Sequence, residues 1–307
     1  MLNNIKNNTL FKWGLIAIAL IGITVEIALH ALGAVDFPIY DIDDKIGYMP
    51  KADQQGHFLN KNDWVLNNRA LGTVHQWPTD SLNKNNVMLV GDSVVWGGNP
   101  LKQKDKLGDQ LEKRLGSNFA VWPASAGGWS AANEIEMINH NLDIYQQSSS
   151  VVWFINSGDF SPLAESAGPL IHPNKTIICA TCFYVQKYML PKLGIQIGME
   201  NPPIDTSAHF DPKVWKSFSD IVSLRLKNNK SIVFVIYPNT NELLKRDWLG
   251  YEKLLEQMNS ICGTKNIECI DLSKEQKWNE SFYRDGIHPS VEGNQVLAEI
   301  ISLKFNS

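Results

Sequence analysis

Val87–Val90 is an apolar run without polar alternation, and it leads straight into Gly91-Asp92-Ser93. A strand of that kind is buried on both faces, the signature of a parallel sheet covered by helices on each side. Open sheets of this type bind ligands at the C-terminal ends of their strands. The sharp turn after Val90 therefore sets the small hydroxyl of Ser93 at that edge, and we read Ser93 as a catalytic nucleophile.

The chain beyond it repeats the pattern. Predicted strands at 118–123, 150–156, 231–237 and 267–272 alternate with helical stripes at 104–115, 131–145, 212–227, 242–261 and 290–303. Alternating strands and helices imply βαβ units. The prediction is an α/β fold, a three-layer α/β/α sandwich with a five-stranded parallel sheet, over residues 87–307. Residues 36–86 carry short strands and turns and read as an extension packing on that domain. Residues 160–210 are an insertion longer than ordinary connections. It reads equally as a functional lid or as an edge cover, with a short helix at Cys182–Leu193.

Residues 1–12 are polar, with Lys6 and Lys12, whereas 13–35 are apolar apart from Glu26 and His30. That is roughly the 20 residues needed to cross a bilayer as a helix. Basic residues precede the span, and Asp36, Asp41, Asp43 and Asp44 follow it, so 1–12 are expected in the cytoplasm. Glu26 and His30, four apart, share one helix face. A cleaved leader has an apolar core of about 7–15 residues, which Trp13–Val25 also fits. The reading taken is an uncleaved transmembrane anchor at 13–35, with the bulk of the chain extracytoplasmic (periplasmic in a Gram-negative cell).

A net charge of −4 offers no broad basic surface, which argues against a nucleic-acid partner. Of the three pairings open to four cysteines, Cys179 with Cys182 and Cys262 with Cys269 are the simplest in an oxidising compartment. Cys262 and Cys269 lack the tight spacing of a zinc site, so no metal is expected.

Nucleophilic ester chemistry needs a hydroxyl, a base, an acid to orient the base, and donors for the oxyanion. His288, in Asp285-Gly286-Ile287-His288-Pro289, is the best base, and Asp285 stands close enough in sequence to hold its imidazole. No Gly-x-Ser-x-Gly elbow surrounds Ser93, which disfavours the α/β-hydrolase fold. Ser93, Gly127-Gly128, Asn156–Asp159 and His288 each follow a predicted strand, and in a parallel sheet those ends share one edge. Trp96 and Trp129 are candidate pocket walls, with core packing the plainer reading. His57, His75, His140, His172 and His209 read as structural or surface residues. Asp92 is expected to shape the nucleophile turn.

With these residues in place, the chain resembles the SGNH hydrolase superfamily, the GDSL-type esterases, over roughly residues 86–305. Val-Gly-Asp-Ser matches its nucleophile block at Ser93. Pro-Ala-Ser-Ala-Gly-Gly-Trp-Ser matches the block whose glycine, here Gly128, gives an oxyanion amide alongside that of Ser93. Asp285 and His288 match the final block. The third block departs: the family's Gly-x-Asn-Asp is Asn156-Ser157-Gly158-Asp159 here, so Gly158 occupies the asparagine position and Asn156 is the candidate replacement. The resemblance implies a flavodoxin-like SGNH fold and a Ser-His-Asp esterase without cofactor. By similarity to membrane-tethered members, its substrate would be an acylated glycan, losing O-acyl, chiefly acetyl, groups from a cell-envelope or exported polysaccharide. Two alternatives use the same residues. One is an O-acyltransferase with a sugar acceptor and an acyl-supplying membrane partner. The other is a degenerate member that binds glycan without cleaving it.

Overall fold

The computed structural model describes residues 2–195 and 210–305, with 2–10 as backbone alone. The chain opens with helix α1 (Leu2–Ala31). Its part Phe11–Ala31 is 21 residues of exposed apolar helix, long enough to cross a membrane, a property shared with signal sequences.

Two antiparallel hairpins follow, β1 (Tyr40–Asp43) with β2 (Gly47–Pro50) and β3 (Gln54–Phe58) with β4 (Asn62–Leu66). Asp43 closes the first turn by accepting the backbone N–H groups of Lys45 and Ile46. At Gly47, with φ +81°, a Cβ would lie 2.4 Å from the carbonyl oxygen of Ala164, so only glycine allows the hairpin to sit against the insertion. The Asn133 amide donates to the carbonyls of Ile46 and Ala164 at 2.7 and 2.8 Å. The extension is thereby stitched to both the main domain and the insertion.

The five parallel strands are β5 (Asn85–Gly91), β6 (Phe119–Ser125), β7 (Ser150–Ile155), β8 (Ser231–Ile236) and β9 (Ile267–Asp271). They lie in the order β6-β5-β7-β8-β9, the doubly wound flavodoxin-like arrangement. Side chains of β5 alternate between two cores: Val87 and Leu89 enter one, Met88 and Val90 the other, all fully buried. Each such side chain contributes roughly 1.5–3 kcal/mol of burial free energy. The first core is closed by α2 (Ser93–Trp96), α3 (Leu107–Leu115) and α10 (Val291–Ser302). The second lies under α4 (Ala131–His140), α5 (Leu142–Gln147), α7 (Pro212–Lys227) and α9 (Leu249–Asn259). Short α6 (Ala180–Tyr184) belongs to the insertion and α8 (Thr240–Leu243) to the loop after β8.

The sequence pattern overestimates helix continuity. The stripe at 131–145 is two helices, because Asn141 leaves helical geometry, accepts from Arg69 Nε and turns its amide back onto the Met137 carbonyl. The stripe at 242–261 splits into α8 and α9 after Lys245 adopts φ +57°. The helix expected from 104 begins at Leu107, since Lys106 is extended. In the insertion, helix begins at Ala180, ahead of the expected Cys182, and passes into a π-helical turn over Val185–Met189. His209 lies outside the described residues. Disulfides join Cys179 to Cys182 and Cys262 to Cys269.

Candidate active site

Ser93 begins α2 at the C-terminal end of β5. Gly91 permits this turn, because a Cβ there would meet Val95 Cγ2 at 2.5 Å. Asp92 caps the helix by accepting the Val94 N–H at 2.9 Å, and its other oxygen accepts the Asn156 side-chain amide at 3.0 Å. The tips of β5 and β7 are thus tied through one carboxyl. Burial pushes that carboxyl up, opposed by the Val94 N–H, the Asn156 amide and the nearby His288.

The turn after β6 lies beside the serine, where a Cβ on Gly127 would be 4.0 Å from Ser93 Cβ. The Gly127 carbonyl accepts the Tyr48 hydroxyl at 2.7 Å. Tyr48 stacks on His172 with ring centroids 3.8 Å apart. His172 Nδ1 accepts the Ala167 N–H at 3.2 Å, and the imidazole also interacts with the Gly127 backbone. Burial, reinforced by Lys187, pushes His172 down to about 4 and keeps it neutral. In a planar trans peptide the C=O and the following N–H point in opposite directions. Holding the Gly127 carbonyl toward Tyr48 therefore fixes the direction of the Gly128 N–H, with Gly128 at φ +80°.

The loop after β9 is fastened at several points. Tyr237 donates to the Ile287 carbonyl at 2.6 Å, and the Thr240 N–H to the Gly286 carbonyl at 3.0 Å. Arg284 Nη1 donates to the Gly97 carbonyl at 2.9 Å, which docks this loop on the end of α2. Within it, Asp285 Oδ2 lies 2.9 Å from His288 Nδ1, and Oδ1 accepts the N–H groups of Ile287 and His288. Partial burial raises the Asp285 carboxyl, but those N–H groups and the imidazole outweigh it and bring it down to about 2. The imidazole is 27% exposed and the carboxylate 48%, so the imidazole is the better shielded of the two. No hydrogen bond links Ser93 to His288, and the Ser93 hydroxyl has no partner among the described residues.

Asn156, through its bond to Asp92, lies next to the nucleophile turn, whereas Gly158, at φ +92°, carries no side chain to offer. Behind them is a buried acidic layer. Asp159 accepts the Asn156 N–H at 2.7 Å, and Glu134 accepts Trp153 Nε1 at 2.6 Å. Burial pushes both carboxyls well up, and repulsion from Asp159 on Glu134, and from Asp92 on Asp159, adds to it.

Of the two candidate pocket tryptophans, Trp129 is closed to solvent and donates its Nε1 to the Tyr48 carbonyl at 2.9 Å, a packing role. Trp96 packs with Trp64 and Leu66 and borders a cavity of about 160 Å³, shared with Phe37, Tyr40, Phe183 and Tyr184. Tyr48 and Arg284 are residues that sequence reasoning missed, and His172, read there as structural or surface, is buried against Tyr48. Each acts through a contact with backbone remote in sequence, which no local motif announces.

No protein-family model matches the chain, and no curated protein matches it. Similar solved structures include a member of the lipolytic protein G-D-S-L family from Veillonella parvula, at 13% identity, covering 72% of this chain and 98% of that one with TM-score 0.45. A lipase/acylhydrolase from Enterococcus faecalis has 13% identity, with 72% and 95% covered and TM-score 0.47. A carbohydrate acetylesterase family member from Sinorhizobium meliloti has 15% identity, with 72% and 97% covered and TM-score 0.43.

Proposed function

We propose that this protein is a membrane-anchored serine esterase that removes O-acyl groups, chiefly acetyl, from a cell-envelope or exported polysaccharide outside the cytoplasm. One observation carries the reading. The Asp285–His288 pair is assembled on a loop that Arg284 fastens to the Gly97 carbonyl, at the end of the helix that Ser93 begins.

In this mechanism His288 Nε2 takes the Ser93 proton as Oγ attacks the ester carbonyl. Asp285, engaged at Nδ1, holds the tautomer and stabilises the imidazolium. The amides of Ser93 and Gly128 hold the oxyanion, with the Asn156 side chain as third donor. The sugar hydroxyl leaves with the proton from His288. Water, deprotonated by the same imidazole, then cleaves the acyl-enzyme and releases acetate. These steps need no cofactor.

A fluorophosphonate probe tests the reading directly. It should label the full-length protein and leave Ser93→Ala unlabelled. Absence of labelling in folded wild type would replace the esterase with a glycan binder. Acetate released from acetylated glycan, unchanged by added acceptor sugars, distinguishes hydrolysis from acyl transfer.

A further inference from the structure

We infer that the insertion is a second membrane contact. Its stretch from Ile178 to Ile195 lies in the interfacial layer of the bilayer that α1 crosses, which fixes the height of the catalytic edge above the lipid. This rests on the membrane-spanning reading of α1.

The connection is polar and specific. Glu26 Oε1 accepts the Ala180 N–H at 2.6 Å, and Oε2 accepts the Thr181 N–H at 2.8 Å. His30, one turn on, bonds Glu26 at 3.0 Å and the Ile178 carbonyl at 3.1 Å. The Tyr184 hydroxyl donates to the Ala34 carbonyl, just past the helix. The loop thus runs alongside the last turn and a half of α1 and the residues that follow it.

Depth follows from length. At about 1.5 Å per residue, Phe11–Ala31 spans about 31 Å, which matches a hydrocarbon layer of about 30 Å. Ending the span at Val25, before the carboxylate, would leave only about 22 Å. The outer boundary therefore falls near Ala31, with Glu26 about 7 Å beneath it. A carboxylate there is tolerated only when paired. Its partners are backbone groups of the insertion, which must share its depth.

The side chains suit lipid. Ile178 is 89% exposed, Leu193 72%, Met189 59% and Tyr188 52%. Lys187 and Lys192 intersperse them, a mixture of apolar, aromatic and basic groups typical of interfacial segments. Ile178 is the residue whose carbonyl His30 holds, so this apolar surface continues that of the helix. The occupant is bilayer lipid.

The test uses the full-length protein in phosphatidylcholine–phosphatidylglycerol vesicles. An environment-sensitive fluorophore is placed at Leu193→Cys, and at Leu82→Cys as control, the native cysteines being paired. Leu82 is 67% exposed near the N-terminal start of β5, at the opposite edge of the sheet. Nitroxide-bearing lipids should quench Leu193 at least threefold more than Leu82, and iodide should do the reverse. Equal quenching at both sites overturns the proposal. If labelled Leu193→Cys fails to fold by circular dichroism, Met189→Cys takes its place under the same criterion. Release of the chain by alkaline carbonate overturns the span itself, and this surface with it. Retention with equal quenching overturns the surface alone.

Discussion

Tyr48 donates its hydroxyl to the carbonyl oxygen of Gly127 at 2.7 Å, across 79 residues of chain. Because that carbonyl and the Gly128 N–H belong to one rigid peptide unit, a residue of the N-terminal hairpin orients a proposed oxyanion donor. His172, stacked on the same phenol ring, supports it from the insertion.

Tyr48→Phe keeps the ring and removes only this bond. Loss of a whole oxyanion donor costs about 10²–10³ in turnover, and a misdirected one is expected to cost roughly tenfold or more. On an aryl acetate, kcat should fall by that amount with KM nearly unchanged. Gly128→Ala should be worse. Its Cβ would lie 3.1 Å from the Tyr48 hydroxyl at φ +80°, with a backbone cost of about 1–2 kcal/mol. Steady-state kinetics with thermal melts separate the two effects.

Asp285→Asn should lower kcat by roughly 10²–10⁴, the range of acid–base contributions, while fluorophosphonate still reaches Ser93 slowly. The wild-type carboxyl, brought down to about 2, stays ionised wherever the enzyme is assayed. Its stabilising effect is complete above the ordinary value of 3.8 and is lost as pH falls toward 2. Acid melts of the two proteins should therefore diverge above pH 4 and converge below it.

Asn156→Ala tests the departure at Gly158. If the amide is the third donor, kcat should drop by about 10²–10³. The Asp92 oxygen loses its partner as well, so the melting temperature should also fall. A full-rate Asn156→Ala enzyme would remove Asn156 from the oxyanion site.

Glu134→Gln is expected to stabilise the protein at neutral pH. The folded carboxyl is held well above its ordinary 4.5 by burial and by Asp159, so over the range where it titrates the folded chain binds more protons than the unfolded one. Its stabilising effect is therefore full below pH 4.5 and declines as pH rises toward the folded value. Removing the titration should flatten the decline in melting temperature as pH rises above 4.5.

The centre of the sheet was legible because β5, β7 and β8 are buried on both faces and read as nearly continuous apolar runs. Ser93 was conspicuous as a candidate because it follows β5 directly, whereas Asp285 and His288, 14 and 17 residues past the end of β9, were picked out by their own three-residue spacing. The breaks at Asn141 and Lys245 were hidden, since apolar spacing continues across both while the backbone turns. Tyr48, Arg284 and His172 were equally hidden. A tyrosine in Gly-Tyr-Met-Pro says nothing of a carbonyl 79 positions away until both are seen together.

The stitching of Gly47 and Asn133 to Ala164 has a practical consequence for anyone wanting this protein in solution. Removing the apolar helix α1 is one operation, and trimming back to the first strand of the parallel sheet is another. A chain starting at Asn85 would retain all five parallel strands yet leave the Gly127 peptide without the phenol that steadies it. A soluble version therefore has to begin before Asp36, whose carboxylate accepts the His57 N–H and whose carbonyl accepts Trp64 Nε1.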